Sequence, residues 1–82
     1  MEIETVTVSI LDRKYRLRVP DSQIEKLKAA AEMVDKTARD YGKKYAYQDY
    51  QDLLAMVSLT QMERLLNLDN LLDNFNPSQE GN

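Results

Sequence analysis

Eighty-two residues without Cys or His make one domain that has no disulfides, no thiolate or imidazole metal ligands and no histidine base. A chain this short closes a core only marginally, so oligomerisation is the stabiliser left to it. The net charge of −3 hides an asymmetry: residues 1–44 hold ten of the eleven bases against eight acids, and residues 45–82 hold six acids and only Arg64.

Met1-Glu2-Ile3-Glu4 is acidic where a leader opens with positive charge. Asp49, Asp52, Glu63 and Asp69 punctuate the most apolar region, and no run reaches the length of a membrane span. The expectation is a soluble, cytoplasmic protein that does not enter a membrane.

Val6, Val8 and Ile10 alternate with Thr5, Thr7 and Ser9, the period of a half-buried strand rich in β-branched residues. A polar connection, Asp12-Arg13, leads to a second alternation. Tyr15, Leu17 and Val19 share one face, and Lys14, Arg16 and Arg18 share the other. The two runs predict a β-hairpin with an apolar inner face and a basic, hydroxyl-bearing outer face. Pro20 stops the second strand, and Ser22-Gln23-Ile24-Glu25 has the form of a capping box. Ile24, Leu27, Ala31, Val34, Ala38, Tyr41 and Tyr45 then recur at steps of three and four, one apolar stripe on a helix of about six turns. Gly42 costs such a helix roughly 1 kcal/mol relative to Ala, which places fraying or an end near it.

Tyr41, Tyr45, Tyr47 and Tyr50 crowd the next connection. Tyrosines at this spacing read as a cover where helices meet, ring buried and hydroxyl wet, in preference to an exposed stacking surface. Asp49 is the expected N-cap of a second helix. From Leu53 to Phe75, thirteen of twenty-three residues are apolar and fall in two adjacent stripes. Leu54, Leu65, Leu68, Leu72 and Phe75 make one, interrupted by Ser58 and Gln61. Ala55, Leu59, Met62 and Leu66 make the other. A hairpin and one helix cannot cover both, and burying Leu, Met or Phe against a second chain yields about 1.5–3 kcal/mol each. The expected oligomer interface is therefore Leu54, Leu59, Met62, Leu65, Leu66, Leu68, Leu72 and Phe75.

Enzymatic readings find no support. Nucleophile–base pairs lack their usual residue types, and Gly42 and Gly81 are too few for a phosphate-cradling loop. Asp49 and Asp52, at i and i+3, fit the first turn of a helix better than a carboxylate pair. No catalytic residue, cofactor or metal is expected. The basic strand has two readings, a charged face that keeps an edge from pairing and a docking surface. A basic ribbon for a DNA groove is conceivable, but the acidic overall balance argues against nucleic acid.

The order of elements, and several of the residues in them, resembles the ZapA family, small bacterial proteins associated with the FtsZ ring in cell division. Val6-Thr7-Val8-Ser9-Ile10-Leu11, followed by Arg13 and Tyr15, is similar to that family's first strand, turn and second strand. Pro20, Ala29-Ala30-Ala31 with Val34-Asp35, and Asp52 through Leu59 continue the match, so the resemblance spans about residues 4–75. It implies a non-enzymatic cytoplasmic scaffold at the division site, dimeric through its helices and in many members tetrameric through a coiled coil, that binds and cross-links FtsZ filaments. It also implies a head whose charged residues contact FtsZ. The matching positions here are Arg13, Lys14, Arg16, Arg18, Lys36, Arg39, Lys43 and Lys44.

Two departures stand out. Asp12 replaces the family's Gly, though Asp tolerates left-handed backbone better than most residues. The second helix, about 25 residues and roughly 37 Å long, is shorter than in members with a long stalk. That leaves a naturally short member or a trimmed one, and a dimer as the safer state.

The fold class that follows is α+β, a β-hairpin followed by two helices, the second long and leucine-rich, forming a helix-packed dimer. Its expected parts are a head at 1–48, an oligomerisation helix at 49–75 and a disordered tail at 76–82. Two other functions compete with the FtsZ scaffold: a small dimeric DNA-binding or regulatory protein using the basic hairpin, and a purely structural helical dimerisation module.

Overall fold

The computed structural model describes the backbone of residues 2–74 and the side-chain surroundings of residues 2–68. The expected tail at 76–82, Phe75 and the Leu72 side chain lie outside the described residues. Strand β1 (Ile3–Ile10) pairs antiparallel with β2 (Arg13–Pro20), in a register that sets Val6 opposite Leu17, Val8 opposite Tyr15 and Thr7 opposite Arg16. The alternation of the two runs therefore becomes two faces, one apolar and one of hydroxyls facing cations. A single 3-10 turn (Asp21–Gln23) leads into α1 (Ile24–Lys44), and α2 (Tyr50–Asn74) follows a five-residue connection. This is the α+β order expected from the sequence.

Three local details differ from expectation. The turn is Leu11-Asp12, because Ile10 pairs with Arg13 and so makes Arg13 the first residue of β2. Ser22 lies inside the 3-10 turn, and α1 starts one residue later, with Gln23 at its N-cap and no side-chain bond from that position. Capping geometry is found at the second helix. The Asp52 amide donates to Asp49 Oδ1 at 3.2 Å, and the Asp52 carboxylate accepts from the Gln48 amide at 2.9 Å. Asp49 thus caps α2 as expected, and Asp52 closes a reciprocal box across the first turn.

α1 lies on the apolar face of the hairpin. Val6, Val8 and Ala31 are buried there, flanked by half-buried Tyr15, Val19, Ile24 and Leu27. A second cluster of Leu11, Ala38, Leu53 and Val57 joins the hairpin turn, α1 and α2. Two alanines seven residues apart, Ala31 and Ala38, give α1 a low flank against which strand and helix both close. The helix runs through Gly42 to Lys44. A Cβ on Gly42 would lie 3.4 Å from Leu53 Cδ1 and 3.4 Å from Tyr47 Cε1, so α1 packs closely here against Leu53 of α2 and Tyr47 of the connection.

The radius of gyration is 17.2 Å and the principal extents are 51 × 43 × 14 Å. A compact chain of this length has a radius near 12 Å. Its accessible surface of 6900 Å² exceeds by about 1,900 Å² the value for a compact monomer of this mass. The chain is a plate from which α2 extends.

Truncating the fully buried Leu53 to Ala should cost about 2–5 kcal/mol in urea unfolding at fixed protein concentration. Gly42→Ala puts a methyl at ordinary contact distance and gains up to about 1 kcal/mol of helix propensity. Unchanged or higher stability is expected. A loss above about 1 kcal/mol would show that Leu53 and Tyr47 cannot yield.

Candidate functional site

The hairpin tip is built on two left-handed residues, Leu11 at φ 49° and Asp12 at φ 68°. Positive φ at both central positions suits the right-handed twist of the strands, and Asp adopts it readily. Leu does so only under constraint. Two contacts supply that constraint: the Leu11 side chain is buried between the helices, and its amide donates to Asp35 Oδ1 at 2.7 Å. Asp35 Oδ2 in turn accepts from Arg39 Nε at 3.0 Å, and Arg39 Nη2 donates to Asp12 Oδ1 at 2.9 Å. The Tyr50 hydroxyl donates to Asp12 Oδ2 at 3.5 Å. The Arg39 guanidinium, followed by the Leu11 amide, holds the Asp35 carboxyl below its ordinary range. The hydrogen bonds to Asp35 and Asp12 raise the guanidinium above its own.

The eight basic residues that the resemblance singled out, among the ten of residues 1–44, do not form one patch. Lys14, Arg16 and Arg18 lie on the outer face of β2, opposite Ser9, Thr7 and Thr5 of β1, and all six are exposed. No acidic residue shares this face within the strands. Arg13 belongs to the opposite face, its guanidinium 5.5 Å from the centre of the Tyr15 ring. Lys36 and Lys43 are also seven residues apart, but on the side of α1 turned away from Ala31 and Ala38. Lys36 is exposed there, whereas Lys43 also borders a pocket lined by Leu11, Arg39 and Tyr50 beside the hairpin tip. Glu32 and Asp40 flank Lys36 at four-residue spacing. Lys43 and Lys44 occupy the last turn of α1, where cations oppose the helix dipole. Arg39 is committed to Asp12 and Asp35, and both ion pairs found among the described residues are its own.

On α2 the described interface candidates divide as well. Leu54 is half-buried against the cluster of Leu11 and Leu53. Leu59 and Met62 are 68% and 60% exposed, and Leu65, Leu66 and Leu68 are each more than half exposed. The Ser58 hydroxyl inside this face donates to the Leu54 carbonyl at 2.9 Å, so it presents no orphaned donor. Leu53 and Val57, which the two-stripe reading passed over, are the residues that seat α2 on the head. Their four-residue spacing was the available signal. The tyrosine cover is partial: Tyr41 is half-buried and its hydroxyl bonds Thr60 Oγ1 at 3.0 Å, while Tyr45, Tyr47 and Tyr50 stay exposed.

A β-hairpin followed by a first helix and a leucine-rich second helix is the order of elements that the sequence resemblance rested on. The family model described as "Cell division protein ZapA" matches residues 6–80. The chain belongs to the ZapA family. It is thus a cell-division protein associated with FtsZ, of a family that acts at the cytoplasmic division ring as a scaffold without catalysis. No curated protein matches it. A solved structure described as "Unknown conserved bacterial protein from Pseudomonas aeruginosa PAO1" is similar at a TM-score of 0.71 and 27% identity, over 94% of this chain and 85% of that one. No helix among the described residues is long and apolar enough to cross a membrane.

The lowered Asp35 carboxyl stabilises the fold at and above the ordinary carboxylate range, near pH 3.9, and that contribution is lost as pH falls through the range toward the lower folded value. Asp35→Asn keeps an acceptor for Leu11 but removes the titration. Urea midpoints of this variant should fall less steeply than those of the wild type below about pH 4, with parallel curves between pH 6 and 8.

Proposed function

We propose that this ZapA-family protein docks on FtsZ filaments through the outer face of its hairpin and bridges them as a dimer joined through α2. One observation carries the docking assignment. Lys14, Arg16 and Arg18 form an exposed row of cations opposite three hydroxyls, with no acid on that face of the strands. On α1, by contrast, Lys36 lies four residues from both Glu32 and Asp40, so that stretch offers little net charge. The two surfaces point in opposite directions, so one flat partner meets one of them. A cationic face speeds encounter with an acidic filament and sets its orientation more than it adds affinity.

The exposed face of α2 supports the dimer. Leu59, Met62, Leu65, Leu66 and Leu68 leave a continuous apolar surface uncovered on an extended chain. Joining two chains along α2 gives two heads, whose avidity on a repeating filament exceeds the affinity of either. The dimer works in the cytoplasm at the division site, and a tetramer would need contacts beyond the residues described.

Co-sedimentation with GTP-assembled FtsZ, at low and physiological salt, tests the reading. The wild type should pellet with bundled filaments. Arg16→Glu should weaken capture more than tenfold at unchanged mass in sizing, and Lys36→Glu should leave capture within about twofold; the reverse order would move the docking face to α1. Met62→Glu should shift the protein toward monomer in analytical ultracentrifugation, so that it still reaches filaments but no longer bundles them. Wild-type protein that stays in the supernatant at both salts would refute the filament reading.

A further inference from the structure

Arg39 matches the charged head of the family by position, but the geometry points to a different role. We propose that Arg39 is a positioning residue that locks the hairpin tip to α1, and that it acts on the filament only through that lock. The inference rests on the proposed docking of the hairpin.

Three observations carry it. Arg39 divides its donors between two elements, Nε to Asp35 on its own helix at 3.0 Å and Nη2 to Asp12 at the tip at 2.9 Å. Asp35 spends its other oxygen on the Leu11 amide at 2.7 Å, so the two left-handed residues are held by one connected network. Asp12 also accepts from the Tyr50 hydroxyl at the start of α2. The tip is therefore tied to both helices, and the angle at which β2 presents Arg16 and Arg18 is set from the same network. The two sides of the Arg39–Asp12 pair are 44% and 70% exposed. A pair so exposed contributes little to global stability. Its consequence is local: it restricts the direction of a two-stranded ribbon that has no further strand to brace it.

This assignment and direct contact predict opposite signs for one substitution. Were Arg39 a filament contact, Asp12→Gly would free a cation and remove an acid, and capture would tighten. With Arg39 as the lock, Asp12→Gly loosens the tip and capture weakens. Gly is well suited to φ 68°, so the turn itself is not strained by the change.

The experiment compares wild type, Asp12→Gly, Arg39→Gln, Arg39→Lys and the Asp12→Gly/Arg39→Gln double variant. Two readouts are taken: co-sedimentation with GTP-assembled FtsZ, and the NMR hydrogen-exchange rate of the Leu11 amide in the free protein. The lock predicts that each of the first two single variants weakens capture by about three- to tenfold and that the double variant is no weaker than the worse single. Arg39→Lys, whose ammonium satisfies one carboxylate at a time, should fall between wild type and Arg39→Gln. Leu11 exchange should accelerate about tenfold in Asp12→Gly and in Arg39→Gln, with melting temperatures within a few degrees of wild type. Unchanged or tighter capture by Asp12→Gly, or unchanged Leu11 exchange in either variant, overturns the proposal. If wild-type protein fails to pellet with filaments, the docking reading falls, and the exchange rates alone uphold or overturn the lock.

Discussion

A single peptide group organises this molecule. The Leu11 amide donates to Asp35 across 24 positions of sequence, and in doing so it keeps a leucine in left-handed backbone with its side chain turned inward. That side chain then becomes part of the cluster against which Ala38, Leu53 and Val57 close. Hairpin, first helix and second helix all meet there. The strain of a left-handed leucine is offset by burial of its side chain and by a charge-assisted hydrogen bond to its amide.

The rest of the architecture follows from how little material surrounds that junction. Two strands and one helix make two layers, so each layer has one face inside and one face outside. The outside of the sheet is cationic and the outside of the helix is mixed. Since α1 occupies the apolar face of the hairpin, the two charged surfaces cannot meet a common partner. Beyond Val57 the second helix still meets α1 through the Tyr41–Thr60 hydrogen bond, but its other side is left uncovered among the described residues. Its leucines and methionine remain at the surface, which a soluble monomer does not sustain on this scale. The described fold thus carries a cationic sheet face on the head and an exposed apolar face on α2.

Much of this was readable in the residues before any coordinates. Period-two alternation announced both strands and sorted their side chains by face, since a strand allows only that arrangement. The three-and-four spacing from Ile24 to Tyr41 located the buried stripe of α1, and Asp49 marked the start of α2. Local pattern misplaced some details at the helix starts. Ser22 and Glu25 have the spacing of a capping box, yet a 3-10 turn comes first and α1 begins at Ile24. Asp52 looked like an ordinary first-turn acid and turned out to reach back to the Gln48 amide. The stripes of α2 were drawn through its exposed leucines, and Leu53 and Val57 were passed over because apolar residues on every side of a helix leave its inward side ambiguous.

By itself the sequence determined the elements, their order, the faces of the hairpin, the absence of the usual catalytic side chains and the family. Each of these depends on residue type and on short-range periodicity, which the chain carries wherever it folds. Only the tertiary structure decided what Arg39 does. Alternation alone set Lys14, Arg16 and Arg18 on one strand face, but nothing in the sequence tells Arg39 from the other bases of α1, and only the fold holds its guanidinium between Asp12 and Asp35. Distance in space, 27 residues of sequence apart, made that last distinction, and no local pattern encodes it.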